Sequence, residues 1–163
     1  IKPINLTCLV GKVPSGVSET DAQDTLIKNL AFAADKLHDS GFQLLVEPIN
    51  TVDIPGYWLS TTSKALEIID SVDHPNIKLQ YDIYHMQIME GNIISTIKEN
   101  LGIIGHMQLA DNPGRHEPGT GELNYPKIFN EIDSMGYKGW IGCEYIPNED
   151  TISGLKWASP YLQ

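Results

Sequence analysis

Short apolar, β-branched runs alternate along the chain with segments of helical period. The runs are Ile4–Val10, Gln43–Glu47, Ile77–Asp82, Ile103–Leu109 and Trp140–Tyr145. Each is bounded by turn residues, as expected of strands covered on both faces of a parallel sheet. In Asp21–Ser40, the residues Leu26, Leu30, Ala34 and Leu37 share one face. Thr20 with Gln23 reads as a capping box ahead of that helix, and Gly41 as its stop. In Ser63–Val72 the stripe is Ala65, Ile69 and Val72, ended before Pro75. In Ile93–Leu101 it is Ile93, Ile97 and Leu101. In Pro126–Met135 it is Ile128, Ile132 and Met135, with Asn124 as N-cap, Pro126 in the first turn and Gly136 at the end. Thr151–Leu162 carries a weaker helical pattern.

Strands alternating with helices predict βαβ units and an α/β fold on a parallel sheet. No linker, charge block or low-complexity tract interrupts the pattern, so residues 1–163 are expected to form one domain of five βα units. Two long segments fall outside it. Pro48–Ser60 (PINTVDIPGYWLS) follows the second strand and Ala110–Asn124 (ADNPGRHEPGTGELN) the fourth. Both leave C-terminal strand ends, where parallel α/β folds build their sites.

The same ends carry the informative polar residues. The second strand finishes in Glu47 and the third in Asp82; the fourth carries Gln108 and the fifth Glu144. A lone acid at such a place is an ordinary turn residue, cap or ion-pair partner. Four oxygen-bearing side chains in register on successive ends point to one shared site. Buried carboxylates side by side repel one another and resist desolvation; a divalent cation relieves both. An all-oxygen set suits Mg²⁺ or Mn²⁺ better than zinc. His85, three residues past Asp82, belongs at the mouth of such a site or is a loop histidine bonded to backbone. His106 shares a strand face with Gln108, as a substrate contact or a satisfied interior histidine. Tyr57 and Trp58 either cover a ligand or pack their loop. Arg115, the chain's only arginine, sits in the Gly/Pro-rich loop. There its planar fork would hold a substrate carboxylate or phosphate, unless it staples the loop through Glu117. His38 and His74 fall at helix ends and read as surface residues; Cys8 and Cys143 read as small buried hydrophobes.

Composition narrows the partners. With 21 acidic and 11 basic side chains the formal charge is −10, which repels a nucleic-acid backbone. No apolar run approaches the ~20 residues of a membrane helix, and nothing at the N-terminus resembles a signal peptide. Two cysteines suit a reducing compartment, so a cytoplasmic location without membrane partners is expected. No glycine-rich phosphate loop, G-x-S-x-G or H-E-x-x-H is present.

Taken together, LLVEPIN, YDIYHMQ, GHMQLAD, GRHEPGTGELNYPKIF and GYKGWIGCEYIP resemble the hydroxypyruvate isomerase family, of the xylose-isomerase-like (β/α)₈ barrel superfamily. The related 2-oxo-tetronate isomerases share much of the pattern. The resemblance implies a metal site of Glu47, Asp82, Gln108 and Glu144, with Glu47 and Glu144 as the catalytic acid/base pair. It makes His85 a substrate ligand, and Gln108 stands where many sugar epimerases carry histidine. The implied reaction interconverts hydroxypyruvate and tartronate semialdehyde through an enediolate. It needs a small 2-oxo acid or ketose substrate and no redox cofactor. A barrel of this kind has eight βα units and ~250 residues. Five units in 163 residues therefore match strands four to eight, with about three units expected to precede Ile1. Such a sheet has two open edges and an uncovered apolar face, which leaves a homo-oligomer open. Rival classes are a sugar epimerase of the same superfamily, an apurinic-endonuclease-like enzyme matching D-x-x-H at Asp82 and His85, and a non-catalytic remnant.

Overall fold

The computed structural model describes residues 3–162. Its five strands are β1 (Asn5–Cys8), β2 (Gln43–Val46), β3 (Ile77–Asp82), β4 (Ile104–Leu109) and β5 (Ile141–Cys143). They lie in the order of the sequence and every pair is parallel. The helices are α1 (Glu19–Asp39), α2 (Thr62–Val72), α3 (Ile83–Met89), α4 (Ile93–Asn100) and α5 (Tyr125–Ser134). A 3₁₀ segment, Ser153–Tyr161, closes the chain. The result is five consecutive strands of a barrel-like wall, with helices on its outer side.

Alternation along each strand sorts side chains between the two faces. Leu44 and Val46 of β2, Leu79 and Tyr81 of β3, and Met107 and Leu109 of β4 join the outer core, packed with Leu30 and Ala34 of α1 and Ala65 and Ile69 of α2. The opposite face holds Thr7, Leu45, Gln80, His106 and Gln108. A register shift between Leu79 and Gln80 brings Gln80 opposite His106 and Asp82 opposite Gln108. Gly142 of β5 pairs with Gln108, and a Cβ there would come within 3.0 Å of His106 Nε2, so the missing side chain makes room for the imidazole.

Several boundaries differ from the sequence expectation. The strands are shorter, so Glu47 and Glu144 lie one residue beyond β2 and β5. α1 starts at Glu19, capped by Ser18 and not by Thr20: the Ser18 hydroxyl accepts the Asp21 N–H and donates to the Asp21 carboxylate. Asn124 caps α5 as expected. α3 has no counterpart in the sequence pattern. Its residues Ile83, Tyr84, His85 and Met86 are all buried, so no polar face marks the helical period. The tail winds as 3₁₀, with Pro160 inside it. Cys143 is exposed, because β5 forms an edge of the sheet. Ile4 and Leu9 near β1 and Trp140 beside β5 are also exposed, in keeping with the two open edges.

Candidate active site

β2, β3 and β5 end at one rim, and their terminal carboxylates meet there. Glu47, Asp82, His85 and Glu144 each offer one ligand atom, and all four atoms lie within 4.8 Å of one another. Glu47, Asp82 and His85 are buried, and Glu144 is half exposed. Gln108, the fourth residue of the expected set, lines with Glu47, Gln80, His106 and Glu144 a cavity of about 590 Å³. A hydrogen-bond chain crosses this cavity wall: Thr7 donates to Gln80 (2.6 Å), and the Gln80 amide donates to Gln108 Oε1.

The charges in the cluster are not at rest. Burial first, then the Asp82 and Glu144 carboxylates, pushes Glu47 up to about 8; Arg115 and the Gln80 amide pull the other way. Burial raises Asp82 to about 6, even though its Oδ1 accepts the Tyr84 N–H as the cap of α3. Burial and Arg115 lower His85 to about 4, so its 3.7 Å approach to Asp82 joins a carboxylate to a neutral ring and is no ion pair. Among the described residues, buried Asp82 Oδ2 has no hydrogen-bond partner. A hard divalent cation fits here on chemical grounds: the carboxylate donors are oxygens, one of them is orphaned among the described residues, and Arg115 offsets only part of their repulsion.

The unbound cluster has a signed consequence for stability. A carboxyl whose folded pKa is raised stabilises the fold below its ordinary value and loses that contribution as pH climbs through the raised one. For Glu47 the window runs from 4.5 to about 8, and for Asp82 from 3.8 to about 6. Metal-free protein should therefore lose melting temperature between pH 5 and 8, and Mg²⁺ or Mn²⁺ should raise it more at pH 8 than at pH 5. Scanning calorimetry with and without the cation checks this; a cation effect that is larger at pH 5 would contradict it.

Two loops complete the rim. In the loop after β2, Tyr57 is buried and its hydroxyl accepts the Val10 N–H (2.9 Å), while the Trp58 N–H donates to Gly11 O (2.9 Å). These residues pack their loop onto the segment following β1. The loop after β4 is organised by Asp111, which the sequence pattern did not single out. Fully buried, its carboxylate accepts backbone N–H groups from Asn112 (2.9 Å), Gly119 (2.8 Å) and Leu123 (3.1 Å). Gly121 packs so close that a Cβ would overlap the carboxylate and Asn112 O. Asp111→Ala orphans three donors at once and should cost about 2–4 kcal/mol. Urea denaturation measures it; a loss under ~0.5 kcal/mol would mean the loop holds itself.

That loop carries Arg115, held at φ +57°, a conformation uncommon outside glycine. Its guanidinium donates to Glu144 Oε2 at 2.9 Å and lies 5.2 Å from the centre of the Tyr84 ring. Glu117, the staple partner considered from sequence, instead accepts the Asn148 N–H. The Tyr84 hydroxyl donates to Asp53 (2.8 Å), so both long loops meet over α3. His106 lines the cavity wall, and burial lowers its pKa. His38 is exposed, and His74 pairs with Asp35 away from the rim.

A family model described as xylose isomerase-like TIM barrel matches residues 3–161. The chain belongs to that family. It is 51% identical to hydroxypyruvate isomerase of Escherichia coli (strain K12), over 96% of this chain and 60% of the relative. It is 45% identical to 2-oxo-tetronate isomerase of Cupriavidus necator, over 94% of this chain and 59% of the relative. Among solved structures, one described as AP endonuclease, family 2, from Brucella melitensis superposes with a TM-score of 0.92 at 42% identity, covering 97% of this chain and 61% of that one. The chain thus spans about three-fifths of the length of these relatives. The wall of five parallel strands agrees with a TIM-barrel fold. Among the described residues, no helix is long and apolar enough to cross a membrane.

Proposed function

We propose that this protein is an aldose–ketose-type isomerase that interconverts hydroxypyruvate and tartronate semialdehyde. The observation that carries this is the convergence of Glu47, Asp82 and Glu144 within 4.8 Å, around an orphaned carboxylate oxygen, in a chain 51% identical to a hydroxypyruvate isomerase. The five strands correspond to units four to eight of an eight-unit barrel, an assignment in keeping with the open edges at β1 and β5.

Glu47 and Glu144 are the acid/base pair. One carboxylate takes a proton from C3 of hydroxypyruvate, next to the carbonyl, and leaves a cis-enediolate. The proton returns at C2, from the second glutamate or carried across on the first, while a hydroxyl proton passes between O3 and O2. The net change is a proton shift, so no redox cofactor is required. Glu47, Asp82, Gln108 and Glu144 would hold Mg²⁺ or Mn²⁺, whose charge would stabilise the developing oxyanion. His85 donates to a substrate oxygen, His106 lines the wall the substrate meets, and Arg115 holds the substrate carboxylate. A second reading, a 2-oxo-tetronate isomerase using the same carboxylates, is favoured by the 45% identical relative. DNA as substrate is disfavoured by the formal charge of −10.

The test is the full-length protein with hydroxypyruvate in D₂O, with and without Mg²⁺, followed by NMR. Tartronate semialdehyde should appear, carrying deuterium at C2 where the proton exchanges on the enzyme. Turnover of a 2-oxo-tetronate with none of hydroxypyruvate would favour the second reading. Turnover of neither would exclude both.

A further inference from the structure

Resting on that reading, a buried asparagine outside the expected site decides what His85 can do. Asn50 follows β2 and is fully buried. Its amide has one orientation, fixed without reference to the histidine. Oδ1 accepts the N–H groups of Val52 (3.0 Å) and Asp53 (2.7 Å), so the NH₂ group must face the other way. There it donates to Asp53 Oδ2 (3.0 Å) and lies 2.7 Å from His85 Nδ1.

An NH₂ group only donates, so Nδ1 has to accept and therefore carries no proton. His85 is also buried, and a protonated ring would set one N–H against another. The single proton of the neutral imidazole is thus placed on Nε2. That nitrogen lies 3.7 Å from Asp82 Oδ2, too far for a hydrogen bond, so among the described residues nothing consumes its N–H.

We propose that Asn50 is a positioning residue that locks His85 in the Nε2–H tautomer. Two consequences follow from the one lock. His85 offers the site a neutral N–H, directed at a substrate oxygen. It also has no lone pair to offer a cation, because Nδ1 is engaged by Asn50 and Nε2 is protonated. Although His85 lies within 4.8 Å of the three carboxylates, the ion is left with oxygen donors alone. Oxygen-only coordination selects Mg²⁺ or Mn²⁺ over the softer ions that imidazole attracts.

The test reads the tautomer directly, apart from activity. In full-length protein with ¹⁵N-labelled histidine, His85→Gln identifies the His85 signals, and long-range ¹H–¹⁵N spectra report each ring nitrogen. The expected pattern is a bare Nδ1 and a protonated Nε2, retained when Mg²⁺ is added. In Asn50→Asp a carboxylate replaces the NH₂ group, so Nδ1 should become protonated. The same variant should lose roughly 10²–10³-fold in kcat, the cost of one removed oxyanion donor. A protonated Nδ1 in the wild type, or loss of the Nε2 proton on adding Mg²⁺, would overturn the proposal whether or not the variant folds. A wild type with the Nε2–H pattern but no isomerase activity would support the tautomer lock and defeat the functional reading, so the two failures are distinct.

Discussion

Glu47→Gln should lower turnover of hydroxypyruvate by at least 10²–10⁴-fold, the usual contribution of a general acid–base group, with any loss of cation affinity adding to it. The amide keeps the size and shape of the side chain but cannot exchange a proton at any working pH. The folded state should not suffer. Burial first, and then the neighbouring like charges, push Glu47 up to about 8, so ionising it destabilises the metal-free protein. Glu47→Gln removes that burden, and the metal-free variant should melt above the wild type at pH 8. A dead enzyme with a raised melting temperature separates a catalytic defect from a folding one. Glu144→Gln should cost turnover on the same scale. It is half exposed and gives up its charged partner Arg115, so no gain in stability is expected there. Steady-state assays of both variants in the full-length protein decide the matter. Near-wild-type turnover in either would place the proton carrier elsewhere.

Arg115→Ala should weaken kcat/KM for substrates bearing a carboxylate by roughly ten- to two-hundred-fold, the equivalent of one charge-assisted contact of ~1.5–3 kcal/mol. The rim is acidic, and an anionic substrate entering it needs a local cation. Arg115 is the arginine the rim presents, with only part of its fork engaged by Glu144 and the Tyr84 face beneath it. Arg115→Lys should recover a fraction of the loss, because a point charge cannot reproduce the bidentate fork. Dihydroxyacetone, which lacks the carboxylate, is the control. It should be handled poorly, and about equally, by wild type and Arg115→Ala. Equal losses on acidic and neutral substrates would reduce Arg115 to a partner that orients Glu144.

What the amino-acid pattern disclosed and what it hid follow from the range of the interactions. β2 is a short apolar run followed directly by Glu47, and β3 one that ends in Asp82, so both the strands and the rim position of the two carboxylates are local properties. α3 escaped because it is only seven residues long and its first four are all buried; the one local sign of it was Asp82 itself, which caps its first turn. The remaining features are long-range. Asn50 and His85 are 35 residues apart, and Arg115 and Glu144 are 29 apart; no periodicity links such pairs. Asp111 was hidden differently: an acid in a Gly/Pro-rich loop reads as solvated until three backbone N–H groups are seen to converge on it.

Asp82 divides its two oxygens between different tasks. Oδ1 takes the Tyr84 N–H at the start of α3, and Oδ2, on the side of His85, has no hydrogen-bond partner among the described residues. Charge drawn toward Oδ2 must be withdrawn from Oδ1, because both belong to one delocalised group. The Tyr84 amide is therefore a reporter wired to the active site through a single carboxylate. Its proton resonance should move upfield as a cation loads, because the hydrogen bond it makes is weakened, and its exchange with solvent should quicken. Occupancy of the site can then be followed from one backbone signal, with no substrate present and no residue altered.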